Sequence, residues 1–397
     1  MKKLVFTVML ALLSAGIYAQ TRQQMGGIYY AYQADPNISL TPVPKGYSLV
    51  YISHYGRYGS SWLGADVYKR IADQFADASN LTATGLETKK SVDMIVTGVA
   101  ARAGQLTIMG NKQVGDIAER MYNRFPEVFD RTSHLRLRCS TESRAKATMG
   151  ATSTKLLNLK AMLHMCMDAA TNQEDMNWIA AHTAEQQQLE TNTPAQYPFT
   201  ADRFVKNLFK DPKKIANPMQ FMTDMFALAS NTQNADNQPD LYDIFTDDEL
   251  FAFYKENNRV MSLCNGLNSY NKRSPQRCSI GLWQDIEEDA DGTISKGGTG
   301  ACFRFGDEGS LYRLLTTIQL SVNGLSGDGQ SDEMDQVMPT ASNLQILFYK
   351  NQKNVLVKFL YNEKEATLPM ATDMSPYYNW EEVKTMVGNM LLVASSR

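Results

Sequence analysis

The sequence contains only 4 histidines among 397 residues, and its five cysteines include no CxxC pair. The absence of that pair excludes zinc ribbons and thioredoxin-like redox motifs. The sequence also lacks the glycine-rich fingerprints of dinucleotide-binding proteins and of P-loop proteins. With 39 basic and 42 acidic residues it carries no net positive charge, so we predict that it has no nucleic-acid partner.

Long apolar runs are missing too, except near the N-terminus. There, Lys2 and Lys3 precede the run Leu4–Leu13, and small residues lead to a plausible cleavage point after Ala19. This run is shorter than the roughly 20 residues that a membrane helix needs, and the layout is typical of a secretory leader. We therefore predict that residues 1–19 are a signal peptide, that the chain has no membrane span, and that the protein is exported to the periplasm or the extracellular space.

Hydrophobic residues make up 43% of the chain, which is enough for a large core. Short apolar runs at 48–53, Leu135–Cys139 and Ala301–Phe305 predict buried strands, and helically spaced apolar residues follow each of them. Two β-rich runs, Leu344–Tyr349 and Val355–Leu360, predict a hairpin. This alternation predicts an α/β fold in which a mixed central sheet carries helices on both faces.

The middle of the chain has a different composition. Its residues are rich in Gln, Asn, Asp and Met, its apolar residues are helically spaced, and Thr246–Glu249 forms a capping box. We predict a mostly helical cap over residues 166–300, inserted into a core made of residues 27–165 and 301–397. The pattern also predicts a long helix that runs from the turn after Cys139 to about Met167.

One acidic stretch, Glu287–Thr293, has oxygen-bearing side chains at alternating positions and a glycine at the sixth, like the start of a calcium loop. Gly298 stands where the twelfth-position glutamate of such a loop is expected. We therefore interpret the stretch as a solvated acidic turn, and we predict no metal site and no cofactor.

Three polar turns, at 53–61, 140–144 and 306–310, follow the three predicted strands. Ligands of open α/β sheets bind beyond the carboxyl ends of the strands, so the sequence predicts that these turns form one site.

Seven segments in and around these turns match a known pattern in the same order along the chain. They are Ser53–Trp62, Arg102–Thr107, Ile117–Tyr122, Phe125–Phe129, Ser140–Arg144, Phe303–Gly306 and Asn343–Tyr349. Together they resemble the histidine acid phosphatase family, in particular its bacterial branch similar to multiple inositol polyphosphate phosphatases. The resemblance covers most of the mature chain. It implies a histidine-phosphatase-like fold and an ancestral, metal-free hydrolysis of phosphate monoesters through a phosphohistidine.

The residues that depart from the family pattern are those of its catalytic groups. In the family, the histidine of an Arg-His-Gly motif is the nucleophile, and Tyr58 occupies that place here. Ser61 replaces the next arginine, which clamps phosphate in the family. Asp307 replaces the distal histidine, and Glu308 replaces the distal proton donor.

Other phosphate-binding positions are retained. The resemblance implies that Arg57 and Arg144 are phosphate ligands, and it makes Arg138 a further candidate. The predicted partner is therefore a phosphorylated small molecule.

The replacements are unfavourable for catalysis on physical grounds. A tyrosine phenol has a pKa of about 10, so Tyr58 is almost wholly protonated near neutrality, whereas imidazole is a ready nucleophile there. Losing a guanidinium at position 61 removes a bidentate phosphate contact, and Asp307 adds a negative charge where an imidazole would face the phosphate. Losing one group that stabilises transition-state charge costs about 3 kcal/mol. We therefore predict a catalytically impaired protein with a residual phosphate-ester-binding cleft.

Two alternatives remain open from the sequence. In the first, the protein is an active phosphatase on inositol polyphosphates such as phytate, through a rearranged site in which His54 or Tyr58 is the nucleophile. In the second, it is a surface interaction module that uses the cap and has no anion site. The other histidines are weaker candidates, because His134 precedes a strand and both His164 and His182 lie on segments predicted to be helical.

Overall fold

The computed structural model describes residues 20–395 except 100, 131, 171–187, 190–191, 236–237, 269–270, 272–273 and 326–331. The predicted signal peptide, residues 1–19, and His182 lie outside the described residues, and export stays a prediction from the sequence. Among the helices that are described, none has both the length and the apolar content that a membrane crossing requires.

Eight strands form a single sheet. They are β1 (Ser48–Arg57), β2 (His134–Cys139), β3 (His164–Ala169), β4 (Gly300–Gly306), β5 (Asn343–Lys350), β6 (Val355–Tyr361), β7 (Lys364–Ala366) and β8 (Tyr378–Asn379). The sheet has the order β3-β2-β4-β1-β5-β6-β7, with β8 also paired to β6. Strands β1 to β4 are parallel to one another, whereas β5 and β6 are antiparallel to their neighbours. The predicted mixed central sheet and the predicted hairpin are confirmed.

The chain adds α-helices between and after the strands. They are α1 (Ala65–Gln74), α2 (Ala83–Val99), α3 (Ile108–Arg124), α4 (Ser143–Leu159), α5 (Asp202–Leu208), α6 (Pro218–Thr232), α7 (Asp247–Asn265), α8 (Ser274–Ser295), α9 (Glu308–Thr317), α10 (Met334–Val337) and α11 (Trp380–Ser395). A 3-10 segment, Gln24–Tyr29, precedes β1. The capping box predicted at Thr246 and Glu249 is present at the start of α7.

Helices cover both faces of the sheet, as predicted for this class. On one face, apolar residues of α3 and α4 pack against the strands, for example Met121 and Leu156 against Leu137 and Phe303. On the other face, α8, α9 and α11 contribute residues such as Trp283, Leu314 and Trp380 to a second cluster. Successive side chains of a strand point to opposite faces of the sheet, so the same strands contribute residues to both clusters.

A third apolar cluster lies away from the sheet and holds the cap together. It joins α5, α6 and α7 through residues such as Phe204, Phe226 and Tyr254. Helices α1 and α2 belong to the same cluster through Ile71 and Ile95. The apolar cluster of the predicted cap therefore also contains residues that precede the predicted insertion. Helix α8, at the end of that insertion, packs on the sheet instead.

Three local predictions were wrong. Strand β1 continues to Arg57 instead of ending near Ser53, because it is paired on both sides in the middle of the sheet. The helix after β2 ends at Leu159, and His164 to Ala169 form a strand that pairs in parallel with β2.

The third concerns the acidic stretch Glu287–Thr293, which lies inside helix α8 and is not a solvated turn. Its carboxylates are engaged by neighbouring side chains, since Asp289 pairs with Arg136 and Arg304, and Asp291 pairs with Lys384.

Candidate functional site

The carboxyl ends of β1, β2 and β4 meet at one edge of the sheet, because these three parallel strands are neighbours. The turns that follow them open into a cleft of about 220 Å³. The cleft contains Arg57 and Tyr58 from the first turn, Arg144 from the second and Glu308 from the third. Other lining residues are Ile28, Tyr29, Ser61, Trp62, Leu63, Gly64, Val67, Asn231, Asn234 and Thr340. The predicted convergence of the three turns is therefore confirmed.

Glu308 is the carboxylate at the centre of the cleft. The Tyr58 hydroxyl donates a hydrogen bond to Glu308 Oε2 at 2.5 Å. The same oxygen lies 3.3 Å from Nε of Arg57, whose side chain is only 3% exposed. Tyrosine, arginine and glutamate thus form one connected group, and the phenol is oriented by the carboxylate.

Arg144 covers this group from the solvent side. Its guanidinium carbon lies 3.9 Å from the centroid of the Tyr58 ring, a close cation–π contact. Nε of Arg144 donates to Glu142 at 2.7 Å. Its Nη1 and Nη2 have no hydrogen-bond partner within the described part of the chain, and its side chain is 37% exposed. Arg144 therefore presents an open guanidinium edge to the cleft.

Burial and the charges of the cleft together determine the protonation of Tyr58 and Glu308. Burial is the main cause that raises the pKa of Tyr58 well above its ordinary value, and the adjacent Glu308 charge adds to it. Burial also opposes ionisation of Glu308, but Arg57 and Arg144 outweigh it and hold the pKa of this carboxyl below its usual range. Near neutrality the site therefore contains a protonated phenol bound to an ionised carboxylate.

Asp307 has a different environment from its neighbour. Its Oδ1 accepts a hydrogen bond from the backbone N–H of Ser310 at 2.8 Å, which makes it the N-cap of α9. It is not among the residues that line the cleft. Burial, followed by the charge of Glu308, raises the pKa of Asp307. The carboxyl of Asp307, which the resemblance predicts in place of the family's distal histidine, therefore caps a helix.

Arg57 is held by backbone carbonyls as well as by Glu308. Its Nη1 donates to Ile28 O at 2.7 Å and to Met338 O at 2.5 Å. These bonds join the end of β1 to the N-terminal 3-10 segment and to the segment after α10. The two N–H groups of Nη1 are thus used within the protein.

The loop that carries Tyr58 is fixed by a buried polar network. Both the N–H and the hydroxyl of Ser60 donate to Gln113 Oε1, at 3.0 and 2.9 Å. The Ser60 hydroxyl also lies 2.8 Å from Oγ1 of Thr340. A Cβ on Gly59 would lie 2.6 Å from Gly110 O, and one on Gly110 would lie 2.0 Å from Ser60 O. Glycine at both positions therefore lets the loop touch the first turn of α3.

We expect Gly110→Ala to reduce the free energy of unfolding by about 2 kcal/mol, because the added methyl must displace the Ser60 backbone. A urea titration measures this change. Gly150→Ala is the matched control, since nothing lies within 4 Å of a Cβ at that helical position. There the better helix propensity of alanine should raise stability by up to about 1 kcal/mol. Equal effects of the two substitutions would contradict the close approach.

His54, the alternative nucleophile, lies on the other face of β1 from Tyr55 and is 4% exposed. Its ring packs against Phe303 and Phe305, in a cavity that is also lined by apolar residues of α3. Burial, followed by the charge of Arg304, lowers the pKa of His54 to about 3. His54 is absent from the lining of the Tyr58 cleft. The structure therefore does not bring it together with Arg144 and Glu308.

Arg138 is likewise directed away from the cleft. Its Nη1 donates to both carboxylate oxygens of Asp285 on α8, at 2.5 and 2.6 Å. Arg304, which is fully buried, shares Asp285 and also pairs with Asp289. Arg138 is therefore part of an ion-pair network between the sheet and α8, and it does not join Arg57 and Arg144.

The N-terminal segment and the predicted cap also contribute residues to the cleft that the sequence does not mark. Ile28 and Tyr29 reach the cleft from the 3-10 segment, and Asn231 and Asn234 reach it from the end of α6 and the turn after it. Asn231 Nδ2 donates to Ser61 O at 2.7 Å, and Asn234 Nδ2 donates to Tyr29 O at 2.8 Å. No local motif marks these residues, because only the packing of the cap places them here.

No protein-family model and no curated protein matches the sequence. Solved structures do match its fold. The Bifidobacterium longum multiple inositol polyphosphate phosphatase in complex with inositol hexasulfate has a TM-score of 0.77 at 16% identity, over 92% of this chain and 97% of that chain. The phytase from D. castellii has a TM-score of 0.67 at 12% identity, over 93% and 85% of the two chains. The Hafnia alvei phytase in complex with myo-inositol hexakis sulphate has a TM-score of 0.55 at 11% identity, over 88% and 98%.

These proteins are histidine acid phosphatases, so the chain has the histidine acid phosphatase fold. The likeness extends over nearly the whole of the Bifidobacterium longum protein. At these identities the comparison shows the fold alone, and the chemistry depends on the residues in the cleft.

Within the described residues, no group of three or more His, Cys, Asp or Glu side chains is arranged to hold a metal ion.

Proposed function

We propose that this protein is an exported, histidine-acid-phosphatase-like protein that binds a phosphorylated small molecule in the cleft without hydrolysing it. One observation carries the proposal: in the cleft the Tyr58 hydroxyl donates a hydrogen bond to Glu308, and burial raises the pKa of this phenol. By the family resemblance, Tyr58 stands where the family has its nucleophilic histidine. The fold shared with inositol phosphate phosphatases supports a phosphorylated ligand.

Neither step of a phosphohistidine-type mechanism has a competent group in this cleft. Attack on phosphorus requires a strong nucleophile, and the Tyr58 phenol is a weak one because its raised pKa keeps it protonated. Glu308 accepts the hydrogen bond of this phenol, but its lowered pKa makes it a poor base for removing the proton. Departure of the alcohol requires a proton donor, and Glu308 is ionised because Arg57 and Arg144 lower its pKa. The two protonation states are therefore the reverse of what the two steps need.

Binding of an anion, in contrast, has a suitable group. The open edge of Arg144 offers Nη1 and Nη2 to two phosphate oxygens, the geometry in which guanidinium–phosphate bonds are strongest. Arg57, which is buried at the wall of the cleft, adds positive charge, although its Nη1 is already bonded to the backbone.

The decisive assay measures phosphate release from an aromatic phosphate and from phytate between pH 3 and pH 8, with chelator present. We expect the wild-type protein to release phosphate no faster than the Arg144→Gln variant, which lacks the proposed phosphate-binding group. Turnover abolished by His54→Ala but not by Tyr58→Phe would establish the rearranged phosphatase instead. A phosphoryl adduct on Tyr58, detected by mass spectrometry after rapid quenching, would equally overturn the proposal.

We expect Arg144→Gln to weaken the binding of inorganic phosphate at least tenfold, because a charge-assisted hydrogen bond contributes about 1.5–3 kcal/mol. Isothermal titration calorimetry at low salt measures this loss. Lys69→Gln is the control, since it removes one positive charge from an exposed pair with Asp73 that lies outside the cleft. Wild-type protein that gives no heat and no thermal shift with any anion would favour the interaction module that uses the cap.

A further inference from the structure

Glu308 has one carboxylate oxygen that no described protein group occupies. Its Oε2 accepts from the Tyr58 hydroxyl and lies beside Nε of Arg57. Its Oε1 makes no hydrogen bond within the described part of the chain, and it is not one of the partnerless polar atoms that are shut off from solvent. The side chain is 18% exposed and lines the cleft. Oε1 is therefore an acceptor that remains open to the cleft.

The two guanidinium groups of the cleft supply open donors. Nη1 and Nη2 of Arg144 have no hydrogen-bond partner among the described residues. The same holds for Nη2 of Arg57, because only Nη1 of that side chain is bonded to the backbone. None of these three nitrogens is shut off from solvent. A ligand in the cleft thus meets several donors and one negatively charged acceptor.

The donors and the acceptor surround a single side chain, that of Tyr58. The guanidinium carbons of Arg144 and Arg57 lie 3.9 and 5.2 Å from the centroid of its ring. Glu308 accepts from its hydroxyl at 2.5 Å. Hydrogen bonds of about 2.8 Å on either side let one tetrahedral anion bridge groups that border the same ring. An anion held by Arg144 therefore lies within reach of the open oxygen of Glu308.

A negatively charged acceptor at this place distinguishes between kinds of oxyanion. A sulfate monoester is fully ionised and has only acceptor oxygens, so it would meet Oε1 of Glu308 with repulsion alone. A phosphate monoester has a second pKa of about 6 and keeps one acidic hydrogen below it. This monoanion can donate its hydrogen to Oε1 in a charge-assisted bond while its other oxygens accept from Arg144.

The groups that face Glu308 keep it ionised at the pH where a phosphate monoester is singly protonated. Arg57 and Arg144 outweigh burial and lower the pKa of this carboxyl. Tyr58 stays neutral, and so does Tyr29 on the N-terminal segment, because burial raises the pKa of both phenols. The acceptor therefore carries its charge throughout the range in which the ligand gains or loses its hydrogen.

The remaining neighbours of the carboxylate differ in their response to pH. The cap reaches the cleft with Asn231 and Asn234, which carry no charge. Burial, followed by the charge of Glu308, raises the pKa of Asp307 above its ordinary value. Part of any pH dependence of anion binding can therefore come from Asp307, and a probe that does not itself titrate is needed to separate it.

We propose that the cleft selects phosphate monoesters in their singly protonated form over sulfate monoesters, with Oε1 of Glu308 accepting the phosphate hydrogen. The inference rests on the proposed function, because it assumes that the cleft binds an anion at all. It makes Glu308 a specificity-determining residue. The selected ligand differs from the sulfated inositols that two of the similar structures contain.

Calorimetric titration of the mature chain with phenyl phosphate and phenyl sulfate at pH 5 tests the proposal. At this pH each ester carries about one negative charge, and the two differ chiefly by one hydrogen. We expect phenyl phosphate to bind at least tenfold more tightly, because a hydrogen bond to a charged group is among the strong ones. Between pH 5 and pH 8 this preference should shrink at least tenfold. Phenyl sulfate does not titrate here, so its own change with pH measures the part that is due to Asp307.

Glu308→Gln should reduce the preference at pH 5 to less than threefold. The neutral amide no longer repels the sulfate and no longer binds the phosphate hydrogen as a charged acceptor, so phenyl sulfate gains more affinity than phenyl phosphate. Asp73→Asn is the matched control, since it makes the same change at an exposed carboxylate that pairs with Lys69 outside the cleft. This control should keep the full preference.

Equal affinities of the wild-type protein for the two esters at pH 5 would overturn the inference while leaving the proposed function intact. This comparison needs no variant, so it decides the question even if Glu308→Gln fails to fold. A preference that a folded Glu308→Gln protein retains would equally overturn the role of this carboxylate. Failure of both esters to bind at any pH would instead overturn the proposed function itself.

Discussion

Glu308→Gln should destabilise the protein and at the same time tighten its binding of phosphate. The substitution removes the carboxylate that neutralises buried Arg57, and leaving such a charge unpaired costs about 3 kcal/mol. It also removes a negative charge that lies a few Å from the proposed phosphate position. Loss of this repulsion should strengthen phosphate binding by on the order of 1–4 kcal/mol. A phosphate oxygen would then take the place of the missing carboxylate beside Arg57.

Thermal unfolding with and without phosphate measures both effects. The variant should melt below the wild type, and saturating phosphate should recover most of the loss, since a ligand at about 100 times its Kd adds about 2.7 kcal/mol. Glu142→Gln is the matched control, because its pair with Arg144 is more than a third exposed on both sides and should contribute less than about 1 kcal/mol. A Glu308→Gln protein as stable as the wild type would refute the ion pair.

His54→Leu should make the protein more resistant to acid. The pKa of His54 is about 3 in the folded protein, below its ordinary value of 6.5. Between these values the unfolded chain takes up a proton that the folded protein does not. The stabilising contribution of the neutral imidazole is therefore complete above pH 6.5 and is lost as the pH falls, by about 1.4 kcal/mol per pH unit.

Leucine abolishes this loss, so its advantage over histidine should grow by about 2.7 kcal/mol between pH 7 and pH 4.5. Even at pH 7 the variant should gain about 1 kcal/mol, because Nδ1 of His54 is buried without a hydrogen-bond partner. Urea titrations of both proteins at several pH values measure the difference in their free energies of unfolding. Asp307, whose pKa is raised, changes stability with pH in the opposite direction, but it is present in both proteins and cancels in this difference. His134→Leu, at an exposed position that opens β2, is the control. An advantage independent of pH would show that the folded protein accepts the proton.

The position of the site was predictable because it depends on order along the chain. Apolar runs marked β1, β2 and β4, and the rule for open sheets then placed the turns after them at one edge. The structure shows these strands side by side, with Tyr58, Arg144 and Glu308 in one cleft. The strand β3 was missed because its residues are largely exposed and their pattern continues that of helix α4.

The direction of individual side chains was not predictable to the same degree. A strand turns successive side chains to opposite faces, so a change of one position decides whether a residue meets the cleft or a helix. Arg138 meets Asp285 on α8, and His54 meets the aromatic rings beside α3. Asp307 and Glu308 are neighbours, yet only the second lines the cleft, because the first caps helix α9.

The bonds from Arg57 to the carbonyls of Ile28 and Met338 bear on how such a site can change over evolution. An arginine that bonds two remote stretches of backbone contributes to folding, whatever the pocket does. It would persist after catalysis had been lost, whereas a nucleophile with no such second duty would drift. The survival of this arginine in a descendant is therefore no sign of retained turnover, and the exposed guanidinium of Arg144 is the better guide to whether a ligand still binds.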